Sequence, residues 1–194
     1  MKRSLDSVAW TAVAVGLFVS GALVGRLPVY PVAVALLLPL TAICVHGIIR
    51  IVVRPSLPQH LSGPANAIAT RLVIFIIALH VLVMSNLAGV AWARAFGPRG
   101  VVVLVGALLI SAGNLLPRLR PNLAIGIRSR RMLSDARLWA RMHRFAGYTT
   151  VIAGCAVGVA GLFLSGPAIG RVVSICAIGC VASLGLAYWK FSHD

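Results

Sequence analysis

Six long apolar runs alternate with short polar stretches along the chain, over residues 8–25, 29–53, 72–93, 100–116, 147–165 and 172–189. A helix needs about 20 apolar residues to cross the roughly 30 Å hydrocarbon core of a bilayer, and each run comes near that length. Backbone N–H and C=O groups find no water in lipid, so each run is expected to be helical. Pro31 and Pro39 interrupt the second run. The predicted fold class is all-α: a polytopic membrane bundle of six transmembrane helices forming one membrane domain over 1–194. Lys2 and Arg3 precede the first run as in a signal peptide, but that run lacks a clean small-x-small exit, so a retained first span is expected.

Composition agrees with the pattern. Hydrophobic residues make up 60% of the chain and charged residues 11%, against about 25% charged in a typical soluble domain. The formal charge is +15, and the only acids are Asp6, Asp135 and Asp194. On a soluble protein such a balance would suggest nucleic acid. On a membrane chain anionic lipid headgroups account for it, and no direct nucleic-acid contact is expected. Cys44, Cys155, Cys176 and Cys180 all fall in apolar runs, which argues against a disulfide framework and for small packing residues. No cofactor or metal is expected.

Lys and Arg set the orientation. With the N-terminus inside, the inner segments hold 14 of them, and the outer loops hold Arg26, Arg94, Arg99 and Arg171. Both termini are therefore expected in the cytoplasm. The inner stretch at 54–71, rich in Pro, Ser, Gly and Asn, is expected to be irregular. Gly21 and Gly25, and Gly154 and Gly158, recur at four-residue spacing, which favours close helix packing inside the bundle.

The charge gathers in the inner loop at 117–146, where eight arginines lie between Arg118 and Arg144. Its first part, with Pro117, Pro121, Asn122 and Gly126, favours turns. Its second part, 134–146, reads as a short amphipathic helix with Ser134 as N-cap. Leu138, Trp139, Met142 and Phe145 share one face, flanked by Arg137, Arg141 and Arg144. That pattern suits a helix lying in the membrane interface, with the aromatic rings sunk in lipid and the arginines among headgroups.

The residues between the arginines carry a resemblance. Gly113 and Asn114 close a span. Pro117, the Pro121–Asn122 pair, Gly126 and Arg128 follow, then Leu133–Ser134, Trp139, the His143–Arg144 pair and Gly147. This order over 113–148 resembles the C-terminal core of the SdpI family, bacterial membrane proteins that include toxin-immunity proteins. The chain departs from the family at Arg131, where a Trp is usual, and at Arg130, often a Pro. The outer turn Arg26-Leu27-Pro28 is also shorter than its counterpart in many members.

The resemblance implies a non-catalytic immunity or signalling protein of the bacterial cytoplasmic membrane. It implies protection against a secreted peptide toxin and, in some members, capture of a cytoplasmic winged-helix repressor. The expected partner-binding residues are Asn122, Gly126, Arg128, Arg137, Trp139, Arg141, His143 and Arg144. Anionic headgroups are the other expected partner.

Polar residues within apolar runs invite separate accounts. His80 is expected to make an interhelical hydrogen bond, and Asn114 to bond the loop backbone after Pro117. No acid falls inside a predicted span, so a carboxylate proton relay is not expected. His143 and Asp135 share the loop helix without a nucleophile or metal ligand beside them, so no catalysis is expected. One alternative function is a small-molecule or lipid transporter lined by His80, Asn86 and Asn114. Another is a structural subunit of a larger membrane complex.

Overall fold

The computed structural model describes residues 2–27, 31–53, 59–122 and 126–193, and for 2–5, 31, 52, 53 and 59–62 the backbone alone. The described residues form helices with no strand. Six of the helices are long and apolar enough to cross a membrane, and the protein is a multi-pass membrane protein. The chain divides into two compact units, Met1–Leu104 and Val105–Asp194.

The first unit holds α1 (Lys2–Leu23), α2 (Pro31–Ile48), α3 (Gln59–Leu87) and the start of α4 (Ala91–Gly113). Ala9, Val13, Ala42, Val73 and Ile77 form its core. Gly16 lets α1 approach α3: a Cβ there would lie 2.9 Å from Ile77 Cδ1. The irregular stretch expected over 54–71 is helical from Gln59 onward, whereas 54–58 lie outside the described residues. The physical reason is burial. Ala65, Ala69 and Val73 recur at i, i+4 and are at most 2% exposed, a small-residue stripe that the polar composition hid. Pro64 falls in the second turn, so it removes one bond of the helix ladder, close to the helix start.

His80 makes the expected interhelical bond. Its Nε2 lies 2.9 Å from Ser20 Oγ, and that hydroxyl also stands 2.7 Å from the carbonyl of Ala35 and 3.0 Å from that of Gly16. Ser20 has a single proton, and both carbonyls only accept, so His80 donates from Nε2. The node joins α1, α2 and α3. A second polar node was not foreseen. Helix α1 begins before the predicted span, which sets Asp6 against α2, with its carboxylate 3.8 Å from both His46 Nε2 and Arg50 Nη2. His46 is 5% exposed, and neither ring nitrogen has a hydrogen-bond partner among the described residues.

Helix α4 breaks at Gly97 (φ 44°, ψ −136°), and Pro98 opens its second half in the position where a missing N–H does no harm. The second unit takes the rest of α4, the one-turn helix Leu116–Arg118, α5 (Arg130–Ser134), α6 (Ala136–Phe163) and α7 (Pro167–His193). Here glycines set the packing. A Cβ on Gly106 would lie 2.7 Å from the Gly154 carbonyl and 2.8 Å from Gly158 Cα, and one on Gly113 would lie 2.8 Å from the Gly147 carbonyl. Gly154 thus serves interior packing as expected, with the Gly106 carbonyl 2.8 Å from where its Cβ would lie, whereas a Cβ on Gly158 would meet nothing within 4 Å. Gly21 and Gly25 do not: nothing lies within 4 Å of a Cβ at either. Equal spacing cannot tell which helix face meets a neighbour.

Candidate functional site

The basic stretch becomes a compact base within the second unit. After Gly113 the chain turns through Leu116–Arg118, with Pro117 packed where Gly147 leaves room. Leu119 then enters a core with Met132, Leu138, Trp139, Met142 and Ala187, bordered by Phe145, Tyr188 and Phe191. Asn122 bonds the Arg120 carbonyl at 2.7 Å and closes a local turn.

Two caps position the helices. Ser129 Oγ accepts from the Met132 N–H at 3.1 Å and starts α5, and Tyr188 on α7 donates to the same oxygen at 3.2 Å. Asp135 is the N-cap of α6: Oδ1 accepts from the N–H groups of Arg137 (2.8 Å) and Leu138 (3.1 Å). The bonds from Leu138 and Arg137, with the Arg137 and Arg131 charges behind them, hold the Asp135 carboxyl below its ordinary value of 3.8. Ser134, the cap expected from sequence, instead ends α5 and bonds the Arg131 carbonyl. The distinction lies in backbone conformation: Asp135 is extended, with φ −121° and ψ 103°, as an N-cap requires.

The short helix expected over 134–146 is not separate. It forms the first turns of α6, which runs unbroken for 28 residues. At 1.5 Å per residue that is about 42 Å, longer than a hydrocarbon core, so one end of α6 extends past it. Its apolar face does not meet lipid. Leu138, Trp139 and Met142 are at most 2% exposed and face the protein, because α7 and the folded loop offer a closer apolar partner.

Trp139 and His143 pin the loop. The indole Nε1–H donates to the Leu119 carbonyl at 2.8 Å, across 20 residues of chain. The indole stacks on the His143 ring at 4.0 Å, with 15° between the planes. His143 Nδ1 lies 3.1 Å from the Trp139 carbonyl, and Nε2 lies 3.2 Å from the Ile127 N–H. A carbonyl only accepts and an N–H only donates. The imidazole is therefore neutral, protonated at Nδ1 and accepting at Nε2. Gly126 beside it has φ 110°, and a Cβ there would run into Nε2. Asn114, expected to hold the loop, is exposed, and the pins lie at Trp139 and His143.

All eight arginines from Arg118 to Arg144 are exposed. Arg141 lies over the Phe191 ring at 5.0 Å. The expected partner-binding set thus divides. Arg128, Arg137, Arg141 and Arg144 present charge outward, whereas Trp139 and His143 are buried and Gly126 is enclosed against His143. The residues expected to line a transport path are otherwise engaged: His80 with Ser20, and Asn86 through Nδ2 with the Ala93 carbonyl at 3.0 Å. Sequence reasoning missed Leu119, Ser129, Asp135 and Tyr188 as fixing points. Only Asp135, a good cap residue before an apolar periodic run, carried a readable signal.

Comparison with known proteins gives a family match over part of the chain. The model of the SdpI/YfhL protein family matches residues 118–189, from the one-turn helix after Gly113 to Trp189 of α7. That segment of the chain is similar to the family, as the resemblance over 113–148 led one to expect. No curated protein and no solved structure matches the chain.

Proposed function

We propose that this SdpI/YfhL-type membrane protein is a non-catalytic immunity and signalling protein of a bacterial cytoplasmic membrane, with both termini and the basic base in the cytoplasm. The observation that carries the reading is eight exposed arginines on a base pinned at Trp139 and His143. A topology signal needs only charge, whereas a docking face needs that charge held in place, because ordering loose side chains on binding opposes affinity. Each exposed arginine contributes roughly 1 kcal/mol of attraction to an anionic surface. Its counterpart is an acidic patch on a cytoplasmic repressor, with anionic headgroups as the surrounding surface. Trp139 and His143 serve by shaping the face.

Toxin challenge tests the immunity half. A susceptible bacterium expressing the chain should survive a secreted peptide toxin that kills the same strain without it, and equal killing refutes the claim. For docking, Arg137→Glu with Arg144→Glu should abolish repressor capture at the membrane while the protein still inserts. Unchanged capture would reduce the face to a topology determinant.

A further inference from the structure

The first unit carries a cleft between α1, α3 and the start of α4 that none of the preceding roles uses. Its volume is about 700 Å³, within the 300–1,000 Å³ of sites that hold one small ligand. Its walls are apolar: Val8 and Val15 from α1, Ile74 and Leu82 from α3, Phe96 and Val103 from α4. Among the described lining residues the hydroxyls are those of Ser7 and Thr11, and both are engaged. Thr11 Oγ1 donates to the Ser7 carbonyl at 2.9 Å, and Ser7 is itself engaged. A ligand with buried polar atoms would find no partner here, so the occupant is hydrocarbon.

One end of the cleft differs. Trp92 and Phe96 stand there, 50% and 47% exposed, on the short helical piece before the Gly97–Pro98 break. Exposed aromatic residues at a span's end are the mark of the headgroup level. Arg99 follows, exposed and one helical turn before the cleft-lining Val103, so it sits on the same face. The sole acid of this unit, Asp6, is held at the opposite end by Arg50 and His46. A positive charge without a carboxylate beside it thus crowns an apolar slot at headgroup depth.

We propose that this cleft binds one anionic phospholipid, an acyl chain lying between α1, α3 and α4 and the phosphate paired with Arg99. The helix break makes the slot: it ends the first piece of α4 at Phe96 and restarts the helix at Pro98. Gly100 packs beside it, where a Cβ would lie 2.8 Å from Leu82. The site belongs to the first unit and stands independently of the basic base.

The test uses the full chain, stripped of lipid in detergent, with phosphatidylglycerol or phosphatidylcholine bearing a diazirine on one acyl chain. The expected result is one saturable phosphatidylglycerol adduct, competed by unlabelled lipid, with crosslinks in peptides covering Val8–Val15 and Val103–Leu104. Phosphatidylcholine should bind about fivefold more weakly, and Arg99→Gln should remove that preference. Ala78→Phe and Ala12→Leu, which fill the slot from two walls, should each cut crosslinking about tenfold, whereas Val181→Phe on α7 should not. Labelling spread evenly over Ile175, Ile178 and Val181 overturns the site. So does undiminished labelling in both filled variants. Equal uptake of the two lipids overturns the anionic headgroup.

Discussion

Gly126→Ala isolates the loop pin from everything else in the chain. At φ 110° an L-residue is strained, at a cost of about 1–2 kcal/mol. The new methyl also meets His143 Nε2, so the ring must move or the loop must lift. Either way the Ile127 N–H, 3.2 Å from Nε2, loses its acceptor, and leaving this half-buried donor unpaired costs at most about 1–3 kcal/mol. The two together reach about 2–5 kcal/mol, all of it falling on the segment between Leu119 and Ser129. Trypsin reads that segment directly, because Arg128, Arg130 and Arg131 are exposed cleavage sites beside it. When opening is fast, cleavage follows the population of the open form. Even 2 kcal/mol would speed cutting about 30-fold at 25 °C. Purified full-length protein in lipid nanodiscs, digested under native conditions, gives the rate. Gly21→Ala provides the control, since nothing lies within 4 Å of a Cβ there. A Gly126→Ala rate within twofold of the unaltered protein would refute the pin.

Further outcomes follow from the same geometry. Gly106→Leu should block the approach of α4 to α6 and prevent a monodisperse peak in fluorescence-detected size exclusion, whereas Gly25→Leu should elute normally. Asp135→Ala should lower the thermal midpoint, and Asp135→Asn, still a competent cap, should nearly restore it. Because the folded state depresses this carboxyl, its stabilisation is full above pH 3.8 and disappears as pH falls through the lower folded value, so the gap between the unaltered protein and Asp135→Asn should close on acidification. A gap that widens would contradict the cap assignment. A double-mutant cycle with Ser20→Ala and His80→Phe should return a coupling of about 0.6 kcal/mol and at most about 1.7, the range for hydrogen bonds between membrane helices. Zero coupling in thermal unfolding would show the node to be inert.

The site was only half legible in the sequence. Leu138, Trp139, Met142 and Phe145 showed a real apolar face, but amphipathicity states that a face is apolar and not whether lipid or protein covers it. Here α7 and the folded-back loop cover it, which turns Trp139 and His143 from contact residues into supports. The glycines behaved likewise. Gly154 and Gly21 are equal in spacing, and only the presence of Gly106 across the interface separates them. Asp6 lies outside the predicted first span, because a hydropathy window cannot see that α1 begins early enough to bring a carboxylate to His46.

By itself the sequence determined the number of membrane-crossing helices, their need to be helical and the gathering of charge between the fourth and fifth spans. Those follow from hydrocarbon thickness, backbone desolvation and composition, which act locally along the chain. The tertiary structure decided which small residues touch, which tautomer His143 holds and which way Trp139 faces. Those depend on atoms brought together from 15 to 60 residues apart, and periodicity within one helix carries no record of its neighbour.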